Sequence, residues 1–335
     1  MSDPTPTRQR PRWRTALLSA IGYAVGLGCL IWVFTGVEWS KLWQEMSHAR
    51  IGWLIAAALL TLLAYVYNSW RWNFLLAPVS RLKLWRTARA FYIGLFSNEI
   101  LPLRPGELIA SYLLAGWNAI PFSVVVSSVA LERLLDGISI ATAFSIAASF
   151  LPLPHYLVVG VRVLAWALAG AAFLLLILLW KRPRGTHLPQ GIHRILRPVI
   201  EAMRRMTNLR TLLLSLAASF GNLALQVLPY WAVTRSYQLN LSVWAVVAVV
   251  IIVRTAVILP NAPGNAGLLQ AACILGLGLF GVDKTHALAF VALLFLVVDL
   301  PLLVGGAIVA GLSGARIHEL RRATAGAAPV DSPSR

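Results

Sequence analysis

The sequence has few charged residues for its size. Only 12% of the 335 residues are charged, 59% are apolar, and the mean hydropathy is +0.74. A single soluble core cannot bury that many apolar side chains beneath a surface with so little charge. The scarcity of charge therefore excludes a soluble globular protein and indicates that lipid is the solvent of this chain.

Cysteine is almost missing as well. Cys29 and Cys273 lie far apart in separate apolar segments and share no motif, so we expect neither a disulfide nor a metal site. The sequence also has no HExxH, CxxC, P-loop or GxSxG element, the motifs of zinc, redox, nucleotide and serine chemistry. We therefore predict no metal and no cofactor, and no catalytic motif indicates an enzyme.

Acidic residues are scarce beside basic ones. The chain has 12 Asp and Glu against 29 Lys and Arg, which gives a net charge of +17. The basic residues lie in short segments beside apolar ones, which is the positive-inside pattern of membrane proteins, so we predict no nucleic-acid partner. The densest basic segment, from Lys181 to Arg210, is expected to face the cytoplasm and anionic headgroups, with a purely topological role as the alternative.

Several apolar stretches are long enough to cross a bilayer, since about 20 helical residues cover about 30 Å of hydrocarbon. The first follows several arginines but lacks a cleavage site, so we expect a retained helix rather than a signal peptide. The basic loops then place both termini in the cytoplasm, in a multi-pass protein of the bacterial inner membrane. The predicted spans are 15–34, 51–74, 121–150, 157–180, 209–234 and 285–312.

The same pattern divides the chain into three parts. A basic cytoplasmic tail (1–14) precedes a membrane domain (15–315), and a disordered cytoplasmic tail (316–335) follows it. A basic cytoplasmic loop (181–208) interrupts the membrane domain.

Two further apolar regions, about 89–118 and 242–281, contain the same helix breaker: LPLRPG from Leu101 and LPNAPG from Leu259. Two prolines followed by a glycine remove backbone donors and clash with the preceding turn, so no continuous helix is expected at either place. Both regions are predicted to be re-entrant hairpins or broken helices. Their tips hold Pro102, Pro105, Gly106, Pro260, Pro263 and Gly264.

The two breakers lie 158 residues apart, and the same offset carries the start of one span, Ile51, onto the start of another, Leu209. The shared breaker and the shared order of spans predict an internal repeat, about 51–150 and 209–312. The topology makes the copies point in opposite directions, as in many secondary transporters. The predicted fold is all-α, with about six transmembrane helices plus two oppositely oriented re-entrant hairpins in an inverted repeat.

Charged residues are predicted near the bilayer midplane, where each costs about 2.5 to 3.5 kcal/mol to insert. Arg104 precedes a helix whose free N–H groups favour an anion, and its planar guanidinium suits phosphate. Glu107 could satisfy those same donors, hold Arg104, or receive a cationic group or a proton. The candidate site for a lipid headgroup consists of Asn98, Arg104, Glu107, Glu132, Arg133, Asp136, Arg254 and Asp299.

A structural role for part of this set stays open. Arg133 and Asp136 are three residues apart and can pair on one helix face, and Glu132 can pair with a neighbouring segment. Charges that only neutralise one another would lock helices together without binding a ligand. Asn68 and Arg71 could reach a headgroup, although snorkelling of the side chain to the interface explains Arg71 equally well.

Three stretches resemble the membrane domain of lysylphosphatidylglycerol synthases, which also occurs alone in flippase-like inner-membrane proteins. They are NEILPLRPGE from Asn98 to Glu107, the spacing of Glu132, Arg133 and Asp136, and LPNAPGNAG from Leu259 to Gly267. The resemblance covers about 15–312 and implies movement of phospholipids between leaflets. The soluble aminoacyltransferase domain of the bifunctional members is not expected here. The second breaker has Ala262 and Asn265 in place of a charged pair, so its half-site is expected to be less polar.

These observations favour a lipid translocase that holds a phosphate-bearing lipid between the repeats, with Arg104 and Arg133 on the phosphate. The expected partners are membrane phospholipids with anionic or aminoacylated headgroups. One alternative is a non-transporting scaffold whose basic loop docks a lipid-synthesis enzyme. Another is a membrane-embedded transferase acting on lipid phosphates, which would need carboxylates around Mg²⁺ or an activated nucleophile.

Overall fold

The computed structural model describes residues 12–101, 104–152, 154–156, 208–257 and 262–314, with some residues between 158 and 171 and between 201 and 206. Every element in this part of the chain is helical, as predicted. Three helices are both long and apolar enough to cross a membrane, namely Ile51–Leu76, Arg210–Ser236 and Lys284–Leu312. The chain is therefore a multi-pass membrane protein.

The chain begins with a long helix and a short one, α1 (Arg12–Phe34) and α2 (Trp39–Ser47). Their axes are bent by 84° at the short break between them. Helix α2 was not predicted from the sequence. Trp39, Leu42, Trp43 and Met46 recur at helical spacing, but the segment is too short and too polar to read as a span.

The first candidate repeat consists of a long helix, a broken pair and a second long helix. These are α3 (Ile51–Leu76), α4 (Leu84–Ile100), α5 (Gly106–Asn118) and α6 (Phe122–Phe150). Helices α4 and α5 pack against each other, so the first breaker ends one helix and begins the next. At 29 residues α6 is long enough to cross a bilayer. Its three charged residues, Glu132, Arg133 and Asp136, lie away from both ends of the helix.

The second candidate repeat follows the same order. It consists of α7 (Leu209–Ser236), α8 (Val243–Ala256), α9 (Leu268–Gly278), α10 (Lys284–Leu294) and α11 (Leu300–Leu312). A 3₁₀ turn (Pro263–Asn265) lies between α8 and α9, and a π-helical turn (Phe295–Asp299) joins α10 to α11. Helix α8 has 14 residues and α9 has 11, so neither reaches across about 30 Å of hydrocarbon.

Equivalent helices of the two candidate repeats make equivalent contacts. Helix α3 packs along α7, its counterpart, over the most extensive helix pairing in the described structure. Helix α4 of the first half packs on α11 of the second. Helix α8, the counterpart of α4, packs on α6, which holds the place of α11 in the first half. The broken pairs α4–α5 and α8–α9 therefore lie on either side of a shared centre built by both halves.

Glycines permit the closest of these contacts. A Cβ added at Gly94 would lie 2.6 Å from the Gly106 carbonyl oxygen, and one added at Gly106 would overlap Gly94 in turn. Helices α4 and α5 can therefore approach only because both positions lack a side chain. A Cβ at Gly306 would similarly lie 2.5 Å from the Phe96 side chain, where α11 meets α4.

Most predicted spans coincide with helices in the structure. The predictions for 15–34, 51–74, 121–150, 209–234 and 285–312 agree with α1, α3, α6, α7 and the α10–α11 segment within a few residues. The predicted helix breaks are confirmed, because α4 ends at Ile100 and α8 ends at Ala256. Most of the predicted span 157–180 and the basic loop 181–208 lie outside the described residues.

Candidate functional site

The tips of the two broken helix pairs meet. Arg104, from the first breaker, donates a hydrogen bond from Nη1 to Oδ1 of Asn265 in the second. Both residues have left-handed backbones, with φ of 50° at Arg104 and 54° at Asn265, and Gly264 has φ of 66°. Such φ values are uncommon for residues other than glycine and recur at functional turns. The contact joins the two candidate repeats at one point inside the protein.

Four of the six predicted tip residues lie in described structure. Pro105 and Gly106 form the start of α5, and Pro263 and Gly264 form the turn before α9. Pro102 and Pro260 lie outside the described residues.

The buried Asn98 supports the first tip from beneath. Its Oδ1 accepts a hydrogen bond of 2.7 Å from the Gly106 backbone N–H, the first amide of α5. The sequence analysis placed Asn98 in the headgroup site. In the structure its carbonyl oxygen instead holds the turn, which positions Arg104 and Glu107 on either side of it.

A buried ion cluster ties α3 to α6. The Arg71 guanidinium binds Glu132 Oε1 at 2.7 Å and both carboxylate oxygens of Asp136, the Oδ2 contact being 3.0 Å. The Arg71 side chain is 3% exposed. Arg71 also donates to Ser219 Oγ on α7 at 2.9 Å. Arg71 is therefore no snorkelling residue. It is the counter-charge for two intramembrane acids, and the Arg71 contact to Ser219 reaches the second half.

Arg133 lies beside this cluster but faces open space. Its guanidinium binds Glu107 at 2.9 Å and approaches Asp136 at 3.5 Å. The side chains of Arg133 and Glu107 are 49% and 47% exposed. Arg133 lies well inside the 29-residue α6 rather than at one of its ends, so a guanidinium that a ligand can reach lies within the membrane domain. The predicted pairing of Arg133 with Asp136 is present, but Glu107 is the closer partner of Arg133.

The second half contributes Arg254 from α8 and Asp299 from the π-helical turn. Arg254 is close enough to Arg133, Arg104 and Asp136 to interact with each electrostatically. It forms no hydrogen bond or ion pair with any residue that the structure describes. Asp299 interacts in the same way with Glu99 and with the Tyr65 hydroxyl. The structure thus places Arg254 of the second half near charged residues of the first.

Three members of this site were not singled out from the sequence. Glu99 directly precedes the first breaker, and its carboxylate lies next to Gly264 of the second tip. Arg71 was named only as a residue near the interface, and Asn265 only as a loss of charge. A charge count gives one signal for Arg71, because Glu132 and Asp136 together need more positive charge than Arg133 alone supplies.

The arrangement suits binding of an anion rather than a metal. Three arginines converge on one region, and a planar guanidinium can hold two phosphate oxygens at once. Among the described residues, no group of three or more His, Cys, Asp or Glu side chains is placed to hold a metal ion. Glu99 interacts electrostatically with Arg104 and Asp299 with Glu99, so these two acids can receive a cationic group.

Comparison with known proteins gives one family. A family model described as "Lysylphosphatidylglycerol synthase TM region" matches residues 19–306, which include every residue of the candidate site. No curated protein matches the chain.

Proposed function

Because this chain belongs to the family of lysylphosphatidylglycerol synthase TM regions, we propose that it moves a phosphate-bearing lipid between the leaflets of a bacterial inner membrane. The observation that carries the proposal is the half-exposed guanidinium of Arg133 within α6, away from the ends of that helix. A phosphate that crosses hydrocarbon needs a counter-charge along its path. Arg133, Arg104 and Arg254 supply one.

The headgroup takes its place where the two hairpin tips meet. Its phosphate binds Arg133 and Arg104 while the acyl chains stay in the lipid beside the protein. Binding requires the Arg133–Glu107 and Arg104–Asn265 contacts to open. The first pair is half exposed, whereas Asn265 is buried, so the second contact opens only when the two tips separate. Anionic headgroups use the arginines alone, and an aminoacylated headgroup would also place its amine near Glu99 and Asp299.

The two halves form an inverted repeat in this proposal. The exchanged pairings of α4 with α11 and of α8 with α6 support two-fold related halves, and the predicted topology places the two-fold axis in the membrane plane. The hairpins then enter from opposite sides and meet at the midplane. Rocking of one half against the other exposes the arginines to each leaflet in turn.

The topology can be tested directly. With both termini in the cytoplasm, a reporter fused near Arg204 is expected to read cytoplasmic and one near Asp283 external. Alkaline phosphatase and green fluorescent protein fusions at the two sites, in the same host, measure this. Reporters that read the same side would remove the inverted repeat.

The function is tested with purified protein in proteoliposomes. Fluorescent phospholipids with phosphatidylglycerol, aminoacylated and zwitterionic headgroups are placed in one leaflet, and an impermeant quencher reads their transfer. We expect at least one phosphate-bearing lipid to move faster than in protein-free vesicles. Transfer at the protein-free rate for every headgroup would favour a scaffold. Transfer that strictly needs Mg²⁺, or a chemically altered lipid, would favour a transferase.

A further inference from the structure

The buried charges at the centre do not balance. The connected network has two positive groups, Arg71 and Arg133, and three negative ones, Glu107, Glu132 and Asp136, so its formal charge is one negative. Adding Arg104 and Arg254 together with Glu99 and Asp299 leaves the same excess. An uncompensated charge in a low-dielectric interior is costly, and two carboxylates that share one cation compete for it.

Of the two acids that share Arg71, Glu132 has fewer contacts than Asp136. Asp136 has both carboxylate oxygens on Arg71 and a further contact to Arg133. Glu132 has a single contact, from Oε1 to the same Arg71, and its side chain is only one-tenth exposed. Of the two acids on Arg71, Glu132 therefore gains more by becoming neutral.

We propose that Glu132 binds a proton and that the protein takes up this proton together with the lipid phosphate. The inference rests on the proposed lipid transport and adds its coupling ion. The half-exposed Arg133 contacts Asp136, and Asp136 shares Arg71 with Glu132, so this chain of contacts links the exposed pair to the buried acid. A phosphodiester such as phosphatidylglycerol carries one negative charge, so uptake with one proton is electrically neutral.

Every helix that packs on this part of α6 presents a charged or polar group to the network around Glu132. Helix α3 presents Arg71 to Glu132, and α5 presents Glu107, whose charge Glu132 also feels. Helix α8 presents Arg254 to Asp136. Helix α7 presents the uncharged Ser219 hydroxyl to Arg71. The arginines thus neutralise Asp136 and Glu107 as well as Glu132, and Glu132 is the acid of this network whose protonation is expected to change.

Coupling follows from the contacts of Arg133. When a phosphate binds Arg133, it withdraws positive charge from Glu107 and Asp136 and makes the network more negative. Protonation of Glu132 then becomes more favourable, and by linkage a bound proton strengthens phosphate binding by the same factor. The ligand and the proton therefore enter and leave together.

The test uses fluorescent phosphatidylglycerol in proteoliposomes with an imposed pH gradient and a potassium–valinomycin clamp on the membrane potential. For one coupled proton, a gradient of one pH unit supports up to about a tenfold enrichment of the lipid in one leaflet. We expect wild-type protein to enrich the lipid in the more alkaline leaflet. Protein-free vesicles measure passive redistribution.

The Glu132→Gln variant is expected to lose the response to the gradient, whatever its absolute rate. The matched control is Glu38→Gln, which removes an exposed acid outside the network and is expected to respond as wild type does. A wild-type response in Glu132→Gln would overturn the assignment. So would a response that is lost only in Asp299→Asn.

A second measurement needs no variant. Short-chain phosphatidylglycerol is added to wild-type protein in weakly buffered detergent, and a pH indicator reads the proton balance. We expect uptake of up to about one proton for each lipid bound. If lipid moves between leaflets but neither a gradient response nor proton uptake occurs, the proton inference fails and the transport proposal stands. If no lipid moves, both fail.

Discussion

The two halves of the molecule hold their buried charges differently. In the first half, Arg71 pairs with both Glu132 and Asp136 in a cluster that leaves each side chain at most about one-tenth exposed. In the second half, neither Arg254 nor Asp299 has an ion pair within the described structure. The first half therefore contains a structural lock beside its candidate binding group, whereas the charges of the second half are available to a ligand.

Among the variants considered, removal of Arg71 is expected to lower the stability of the protein most. Arg71→Ala leaves Glu132 and Asp136 buried without their shared cation, which costs about 3 to 5 kcal/mol. Thermal and denaturant unfolding in detergent, followed by tryptophan fluorescence, measure the loss. Arg81→Ala, at an exposed loop position, is the control and is expected to unfold as wild type does.

Neutralising both acids should then restore much of the lost stability. We expect the triple variant Arg71→Met, Glu132→Gln and Asp136→Asn to unfold near the wild-type temperature, because no buried charge is left unpaired. An Arg71→Ala protein as stable as wild type would show that the cluster does not lock α3 to α6.

The next largest effect is expected at the first hairpin. Gly106→Ala places a Cβ against the backbone of Gly94 and the Asn98 side chain, and overpacking of this kind costs about 1 to 3 kcal/mol. Gly116→Ala in the same helix has no atom within 4 Å of the added Cβ, so it should be neutral or slightly stabilising. Equal unfolding temperatures for the two variants would contradict the close approach of α4 and α5.

Arg133 should matter for transport far more than for stability. Its main partner, Glu107, is about as exposed as Arg133 itself, and such pairs contribute less than about 1 kcal/mol. Asp136 keeps Arg71 when Arg133 is removed. We therefore expect Arg133→Ala to abolish lipid transfer in a folded protein, and Arg133→Lys to keep part of it, since lysine lacks the planar fork.

The smallest effect on stability is expected at Asp299. Asp299→Asn removes a charge that has no ion pair among the described residues, so the unfolding temperature should stay the same or rise. Asp136→Asn, the counterpart in the first half, weakens the bidentate contact to Arg71 and should lower it. Calorimetry of the two variants side by side checks the contrast between halves, and a larger drop for Asp299→Asn would reverse it.

The sequence predicted the parts of the fold that depend on local chemistry. The lengths of the apolar stretches predicted the long helices, and the proline–glycine breakers predicted where α4 and α8 end. The depth of Glu132, Arg133 and Asp136 along one helix followed from the rise per residue. These features need no knowledge of which helices touch.

Pairing between helices was harder to predict. Arg71 lies near the end of its span, where snorkelling and burial leave the same signal in the sequence. Its pairing with Glu132 depends on the rotation and register of α3 against α6, which tertiary packing sets. The contact between Arg104 and Asn265 likewise depends on tertiary packing, which brings both tips to one point. Helix α2 was not predicted because it is shorter than any membrane span.

The central claim is that a lipid headgroup enters between the two halves at the arginines. Phosphatidylglycerol with a photoreactive group on its headgroup, added to the purified protein in nanodiscs, tests this by mass spectrometry of the labelled residues. We predict labels near Arg104 and Arg133 in the first half and near Arg254 in the second, all reduced in Arg133→Ala. Labels confined to the outer surface, such as the exposed Trp43 and Trp85, and unchanged in that variant, would contradict the account.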